Sequence, residues 1–302
     1  MRLRNGIAVG VSVVLLMAMG TIGILVNRSA LRAADTVHRA DSRALAVNNG
    51  TLAGQVQALS ARELKAFADR TLELRAGSAA DRAALTALLA KTTFFGYGLT
   101  LTDLTGEVLT TTRTAGLPAA THPGYAPMWQ QVRGGTAGFS SIMTIGGVAL
   151  EAVAVPDLVG GVPRAVLIGY NQVAATQLQA YVRKLSASTH LTTIVDSTGG
   201  IAATSDPARL GDRVDPAVIA AMKAAGDTTF VEYRSGGTGM IAVVVPGLPG
   251  GWFYVRTQTM ASFDGAVHRR SQTINLTLLA MLLIGAVGIS ALGYRPRDDA
   301  WT

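Results

Sequence analysis

The chain has 302 residues, a formal net charge of +7 and 49% hydrophobic residues, with a pI near 10.0 and a mean hydropathy of +0.34. That length allows two ordinary domains, and the hydropathy exceeds what a soluble globular domain needs. The sequence contains no cysteine, which excludes disulfides, thiolate metal sites and cysteine nucleophiles.

The first element is an apolar run without charge from Ile7 to Val26, behind the basic start Met1-Arg-Leu-Arg-Asn. It matches the thickness of a bilayer core and is longer than a signal-peptide core. We expect an uncleaved transmembrane helix over 7–26, after a short cytoplasmic N-terminus (1–6). A second run, Ile274 to Leu292, predicts another span over 271–293 and leaves a short cytoplasmic tail (294–302). The two spans put both termini on one side, and the basic N-terminus puts that side in the cytoplasm.

The basic excess sits beside these runs, at Arg2, Arg4, Arg28, Arg32, Arg39, Arg43, Arg269, Arg270, Arg295 and Arg297. Charge in that position faces anionic lipid headgroups, and it argues against nucleic acid as a partner.

Residues 27–92 read as a helical stalk. Ala30, Ala34, Val37, Ala44, Leu45, Leu52, Val56, Leu59 and Phe67 give an approximate helical stripe, and Asn48-Asn49-Gly50 predicts a bend or break. The stripe suits either a dimerising stalk or packing against the chain's own modules. A second helix is expected over 79–91.

From Thr93 the periodicity becomes that of strands. Gly98 to Leu109 predicts a hairpin turning at Asp103-Leu-Thr-Gly, followed by strands over 138–144, 148–155 and 164–170 and a helix over 174–185. The pattern then returns. Asp196-Ser-Thr-Gly turns a second hairpin (191–195, 200–204), with a helix over 216–225 and strands over 228–233, 240–245 and 252–257. The phrase Ala-Val-Ala-Val-Pro-Asp-Leu-Val-Gly-Gly (152–161) reappears as Ala-Val-Val-Val-Pro-Gly-Leu-Pro-Gly-Gly (242–251). Repetition at a fixed offset marks one structural unit built twice. The expected fold class is α+β, with two antiparallel-sheet modules in tandem over 93–187 and 188–270.

These residues resemble the double Cache family of extracytoplasmic sensor domains: two PAS-like modules after a long N-terminal helix, flanked by transmembrane helices. The Asp-x-x-Gly hairpins at Asp103 and Asp196, the apolar-Pro turns at Pro156 and Pro246, and Gly250-Gly-Trp252 carry the likeness. The resemblance implies a non-catalytic plasma-membrane receptor that binds a small molecule in the membrane-distal first module. It would signal through its helices to a separate cytoplasmic protein, since only ten residues follow Leu292. The alternative is an envelope interaction or scaffold protein without a working pocket. The family's amino-acid binders carry Arg-x-Trp-Tyr and a downstream Tyr and Asp. Here Tyr125-Ala-Pro-Met-Trp129-Gln and Tyr170-Asn171 stand instead, so both charge partners of an α-amino acid are missing.

Tyr125, Trp129, Glu151, Tyr170 and Asn171 are the candidate pocket residues, with Tyr97 and Met143 as walls; plain core packing is the competing reading. If Pro127 opens a short helix, Tyr125 and Trp129 fall one turn apart. The four histidines, His38, His122, His190 and His268, lack any metal-ligand spacing, and no nucleophile elbow or phosphate-binding loop occurs. No metal, cofactor or catalytic residue is expected. Asp103 and Asp196 are expected to bond their own turns.

Overall fold

The computed structural model describes the backbone of residues 2–69, 72–159, 161–185 and 190–293. Among these, the side chains of 2–24, 159, 274 and 278–293 lie outside the described set. The apolar runs over 7–26 and 274–292 therefore fall almost wholly outside the described side chains, and the tail over 294–302 falls outside entirely. No helix among the described residues is long and apolar enough to cross a membrane.

The chain forms two compact units, Met1–Ser42 with Ala261–Thr302, and Arg43–Met260. The first holds the opening part of α1 (Arg2–Ala68) and nearly all of α6 (Met260–Gly293). Arg270 pairs with Asp41 at 2.7 Å, Asn275 Nδ2 donates to Asn27 at 2.9 Å, and the rings of His38 and Phe263 stand 4.5 Å apart.

The second unit contains two sheets. β1 (Gly98–Thr102), β2 (Val108–Thr111), β3 (Gly138–Phe139), β4 (Met143–Ile145), β5 (Val148–Val159) and β6 (Val162–Gln172) form the first, in the order β2-β1-β6-β5-β3, with β4 also pairing β5. β7 (Leu191–Val195), β8 (Ile201–Thr204), β9 (Thr229–Ser235), β10 (Thr238–Leu248) and β11 (Trp252–Thr259) form the second, in the order β8-β7-β11-β10-β9. Every pairing is antiparallel. The two orders are the same topology written twice, as the sequence repeat predicts.

The strand expected over 138–144 is two strands. Ser140 and Ser141 interrupt it, their N–H groups bonding Ala152 and Gly124. The apolar-Pro phrases are bulged strand rather than turns. Pro156 sits in the β5–β6 ladder just before a register shift at Asp157/Leu158, and Pro246 falls within the matching shift between Val245 and Leu248. A bulge is where proline is tolerated inside a sheet.

α2 (Ala79–Lys91) lies where expected, capped by Ser78. α1 differs from expectation twice. It runs through Asn48-Asn49-Gly50 unbroken, because Gly50 serves packing: a Cβ there would meet the Tyr254 Cβ at 3.3 Å. Its buried face in the second unit is Ala46, Ala53, Ala61, Leu64 and Ala68, joined to core residues of both sheets, while Leu45, Leu52 and Leu59 are 45%, 48% and 46% exposed. Small side chains let the helix backbone approach the sheets, and the leucines one position away are turned outward.

The opposite faces of the sheets carry separate cores. Met128 and Val132 of α3 (Ala126–Arg133) close the first sheet's, and Val218 and Met222 of α5 (Pro216–Ala224) close the second's. α4 (Gln177–Lys184) joins the repeats; Gln179 bonds both the N–H and the carbonyl of Thr204 through its amide.

Candidate functional site

Both hairpin aspartates bond their own turns in the same way. Asp103 Oδ1 accepts from Thr105 N, Thr105 Oγ1 and Glu107 N at 2.8, 2.7 and 2.9 Å. Asp196 Oδ1 accepts from Thr198 N, Thr198 Oγ1 and Gly200 N at 2.7, 2.8 and 2.8 Å. The Thr105 hydroxyl bond, foremost among these contacts, holds the Asp103 carboxyl below the usual carboxylate range. In each, Oδ1 is engaged in holding the turn.

On the face of the first sheet away from α1 lies a cleft of about 320 Å³. Its floor comes from alternate strand positions, Thr100 and Thr102 of β1 and Ile168 and Tyr170 of β6, which a period of two places side by side. Tyr125 and Trp129 form one wall. Pro127 stands in the first turn of α3 and Tyr125 at its N-cap, so the two aromatics are one turn apart, as expected. Arg113, Thr114, Leu117 and Pro118, in the loop after β2, form the rim.

Four hydroxyls link across the cleft. Tyr125 donates to Tyr170 at 3.0 Å, Tyr170 bonds Thr100, and Thr100 and Thr111 share a hydrogen bond of 3.0 Å. Burial pushes both phenols above the ordinary tyrosine range, so they stay neutral donors and acceptors. Arg113 stacks its guanidinium 4.0 Å from the Tyr97 ring and donates from Nε to the Ala115 carbonyl at 2.8 Å. It is the one charged side chain lining the cleft among the described residues. The site can therefore enclose a small apolar or aromatic body, offer hydroxyls along one edge and meet a negative group at the rim.

The structure brings together three of the seven sequence candidates, Tyr125, Trp129 and Tyr170. Tyr97 backs Arg113 from behind, and Met143 is a core residue beneath Gly124, where a Cβ would come 2.5 Å from its Cγ. Glu151 and Asn171 lie on the other face of the sheet, paired across β5 and β6 with Asn171 Nδ2 donating to Glu151 Oε1 at 3.2 Å. The reason is alternation: Tyr170 and Asn171 are neighbours in one strand and cannot share a face. Burial pushes the Glu151 carboxyl up to about 7, opposed by the Asn171 bond. Sequence reasoning passed over Thr100, Thr102 and Arg113. The alternation of Thr100 and Thr102 was a usable signal, whereas nothing in the sequence marked Arg113. Among the described residues no three His, Asp or Glu side chains gather as a metal site would require.

No protein-family model matches the sequence, and no curated protein matches it. Solved structures do match. The ligand-binding domain of the amino acid chemoreceptor PctB of Pseudomonas aeruginosa, in complex with L-Arg, is 17% identical. That match covers 80% of this chain and 99% of that one, with a TM-score of 0.56. The ligand-binding domain of the chemoreceptor CtaA of Pseudomonas fluorescens, in complex with L-isoleucine, is 19% identical over 76% of this chain and 97% of that one, with a TM-score of 0.52. That of Tlp3 of Campylobacter jejuni, in complex with L-valine, is 11% identical over 76% and 97%, with a TM-score of 0.50. The chain carries the double Cache fold, tandem PAS-like modules after a long N-terminal helix.

Proposed function

We propose that the protein is a non-catalytic, extracytoplasmic ligand sensor of the plasma membrane that binds a small molecule in the cleft of its first module. The observation that carries the reading is the cleft itself, walled by Tyr125, Trp129 and Tyr170 and edged by four linked hydroxyls. The solved neighbours of this fold are ligand-binding domains of chemoreceptors. Their complexes hold amino acids, yet among the described residues no carboxylate lines this cleft to pair with an α-ammonium. The ligand class favoured here is a small acid or neutral molecule with an apolar or aromatic body.

Membrane anchoring is supported by the apolar runs over 7–26 and 274–292 and by the exposure of Leu25 and Leu276 within them. The basic N-terminus supports termini in the cytoplasm with the modules outside. Ligand binding would bias the arrangement of α1 and α6 and be read by a separate cytoplasmic protein, since only differential affinity for two states shifts an equilibrium. The outward leucines at 45, 52 and 59 repeat every seven residues and support pairing of α1 with α1 of a second copy.

A thermal-shift screen of the full chain in detergent micelles tests this, using aromatic and aliphatic monocarboxylates, their amides and the corresponding amino acids. At about a hundredfold over Kd a ligand stabilises by ~2.7 kcal/mol. A saturable rise with an acid or amide, lost in Trp129→Ala, supports the reading. No rise with any compound supports the scaffold alternative.

A further inference from the structure

The two helices of the first unit sort their arginines into two groups. Arg39 pairs with Asp35 at 3.1 Å, and Arg270 pairs with Asp41 at 2.7 Å. Arg28, Arg32 and Arg269 are exposed, and among the described residues none of them has a carboxylate within ion-pair distance. The sequence places no acid beside them. Reading from the apolar runs towards the modules, the first acids are Asp35 on α1 and Asp264 on α6.

The helices fix the height of the three arginines. Asn275 Nδ2 donates to Asn27 Oδ1 at 2.9 Å, which brings the ends of the two runs to one level. At about 1.5 Å per residue, Arg28 stands ~3 Å beyond Val26 and Arg32 ~9 Å beyond it, while Arg269 stands ~7.5 Å from Ile274. The polar headgroup layer on each side of a bilayer is about 5–7 Å deep, and an arginine stem lets its charged end reach into that layer. Arg28 and Arg32 are four residues apart, so they project from one face of α1 about 6 Å from each other and bracket the layer. Planar guanidinium forks match phosphate oxygens. A zwitterionic headgroup also brings an ammonium. Asp35 and Asp264 stand about 13 Å or more from the run ends, so no acid at headgroup level receives that charge.

We propose that this basic collar is a docking surface for anionic phospholipid, with one phosphodiester held between Arg28 and Arg32 and a second headgroup met by Arg269. The proposal rests on the membrane anchoring read from the apolar runs and goes beyond it by specifying the lipid. It is independent of the first cleft and its ligand.

Native mass spectrometry tests it, on the full chain released from neutral detergent micelles doped with equal amounts of phosphatidylglycerol and phosphatidylcholine. Phosphatidylglycerol adducts should outnumber phosphatidylcholine adducts about threefold or more. The double variant Arg28→Gln, Arg32→Gln should remove most of that preference and Arg269→Gln part of it. Arg39→Gln should leave it unchanged, because this charge is engaged with Asp35 and stands roughly 20 Å from the run end. An unchanged melting temperature in undoped micelles verifies that the collar variants fold. Equal retention of the two lipids by the wild type overturns the proposal. So does a preference that survives the double variant, or one that Arg39→Gln abolishes. Displacement of phosphatidylglycerol by excess inorganic phosphate also overturns it, since the surface would then take free phosphate rather than lipid. Alkaline carbonate washing of vesicles tests the anchoring separately. A chain that washes off refutes the anchoring, whereas one that stays and takes both lipids equally refutes the lipid preference alone.

Discussion

The carboxylate of Asp196 ties the two repeats together: its Oδ2 accepts the backbone N–H of Ile142 at 2.7 Å while Oδ1 holds its own turn. Asp103, the same residue of the first repeat, makes the turn bonds and is solvated, whereas Asp196 is fully buried. The packing is close all round. A Cβ on Gly200 would come 2.6 Å from the Asp196 carboxylate, and one on Gly250 would come 2.6 Å from the Cβ of Phe139. A single side chain thus makes a local turn and a junction between sheets.

Asp196→Ala should cost about 3 kcal/mol or more, because it removes charge-assisted bonds and strands buried N–H groups, including that of Ile142. Asp103→Ala should cost clearly less, since water replaces the lost acceptor. Urea denaturation of the two variants side by side gives the comparison; equal losses would contradict the junction role.

Gly169→Ala should destabilise by about 2 kcal/mol or more. A Cβ there would come 2.3 Å from Phe95, whose ring is completely buried and cannot withdraw. The measurement is the shift in denaturation midpoint, and a neutral result would mean that the ring is not seated over β6.

Glu151 makes stability depend on pH. Its carboxyl is raised from 4.5 to about 7 by burial, so between those values the folded chain binds more protons than the unfolded one. Its contribution is full below about pH 4.5 and is lost as pH rises through about 7, a span of order 3 kcal/mol at most. Glu151→Gln should flatten this part of the profile and stabilise the protein at pH 8 relative to pH 5. Denaturation midpoints at the two pH values decide it.

Leu52→Lys should convert a dimer to a monomer, with little effect on folding, because the side chain is half exposed in the single chain. Light scattering coupled to size exclusion reads the mass, and a monomeric wild type would contradict the α1 pairing.

The duplicated architecture was legible because repetition survives in the residues that make turns and bulges. Asp103 and Asp196 and the phrases ending in Gly161 and Gly251 fix hydrogen-bond patterns that few residues can replace. The buried face of α1 was not legible, since Leu45, Leu52 and Leu59 outweigh Ala46 and Ala53 in any hydropathy pattern. Only the tight approach to the sheets, visible at Gly50 and Tyr254, explains why small residues face inward. At the cleft, helical spacing correctly joined Tyr125 to Trp129. Strand alternation was overlooked when Tyr170 and Asn171 were grouped, and Arg113 reaches the rim from a loop without periodicity.

The most direct test of the account is titration of the full chain with the best acid or amide from the thermal screen, wild type against Trp129→Ala and Tyr170→Phe. The account predicts saturable one-site binding that Trp129→Ala weakens about tenfold or more and Tyr170→Phe weakens less. Equal binding by all three proteins would contradict it.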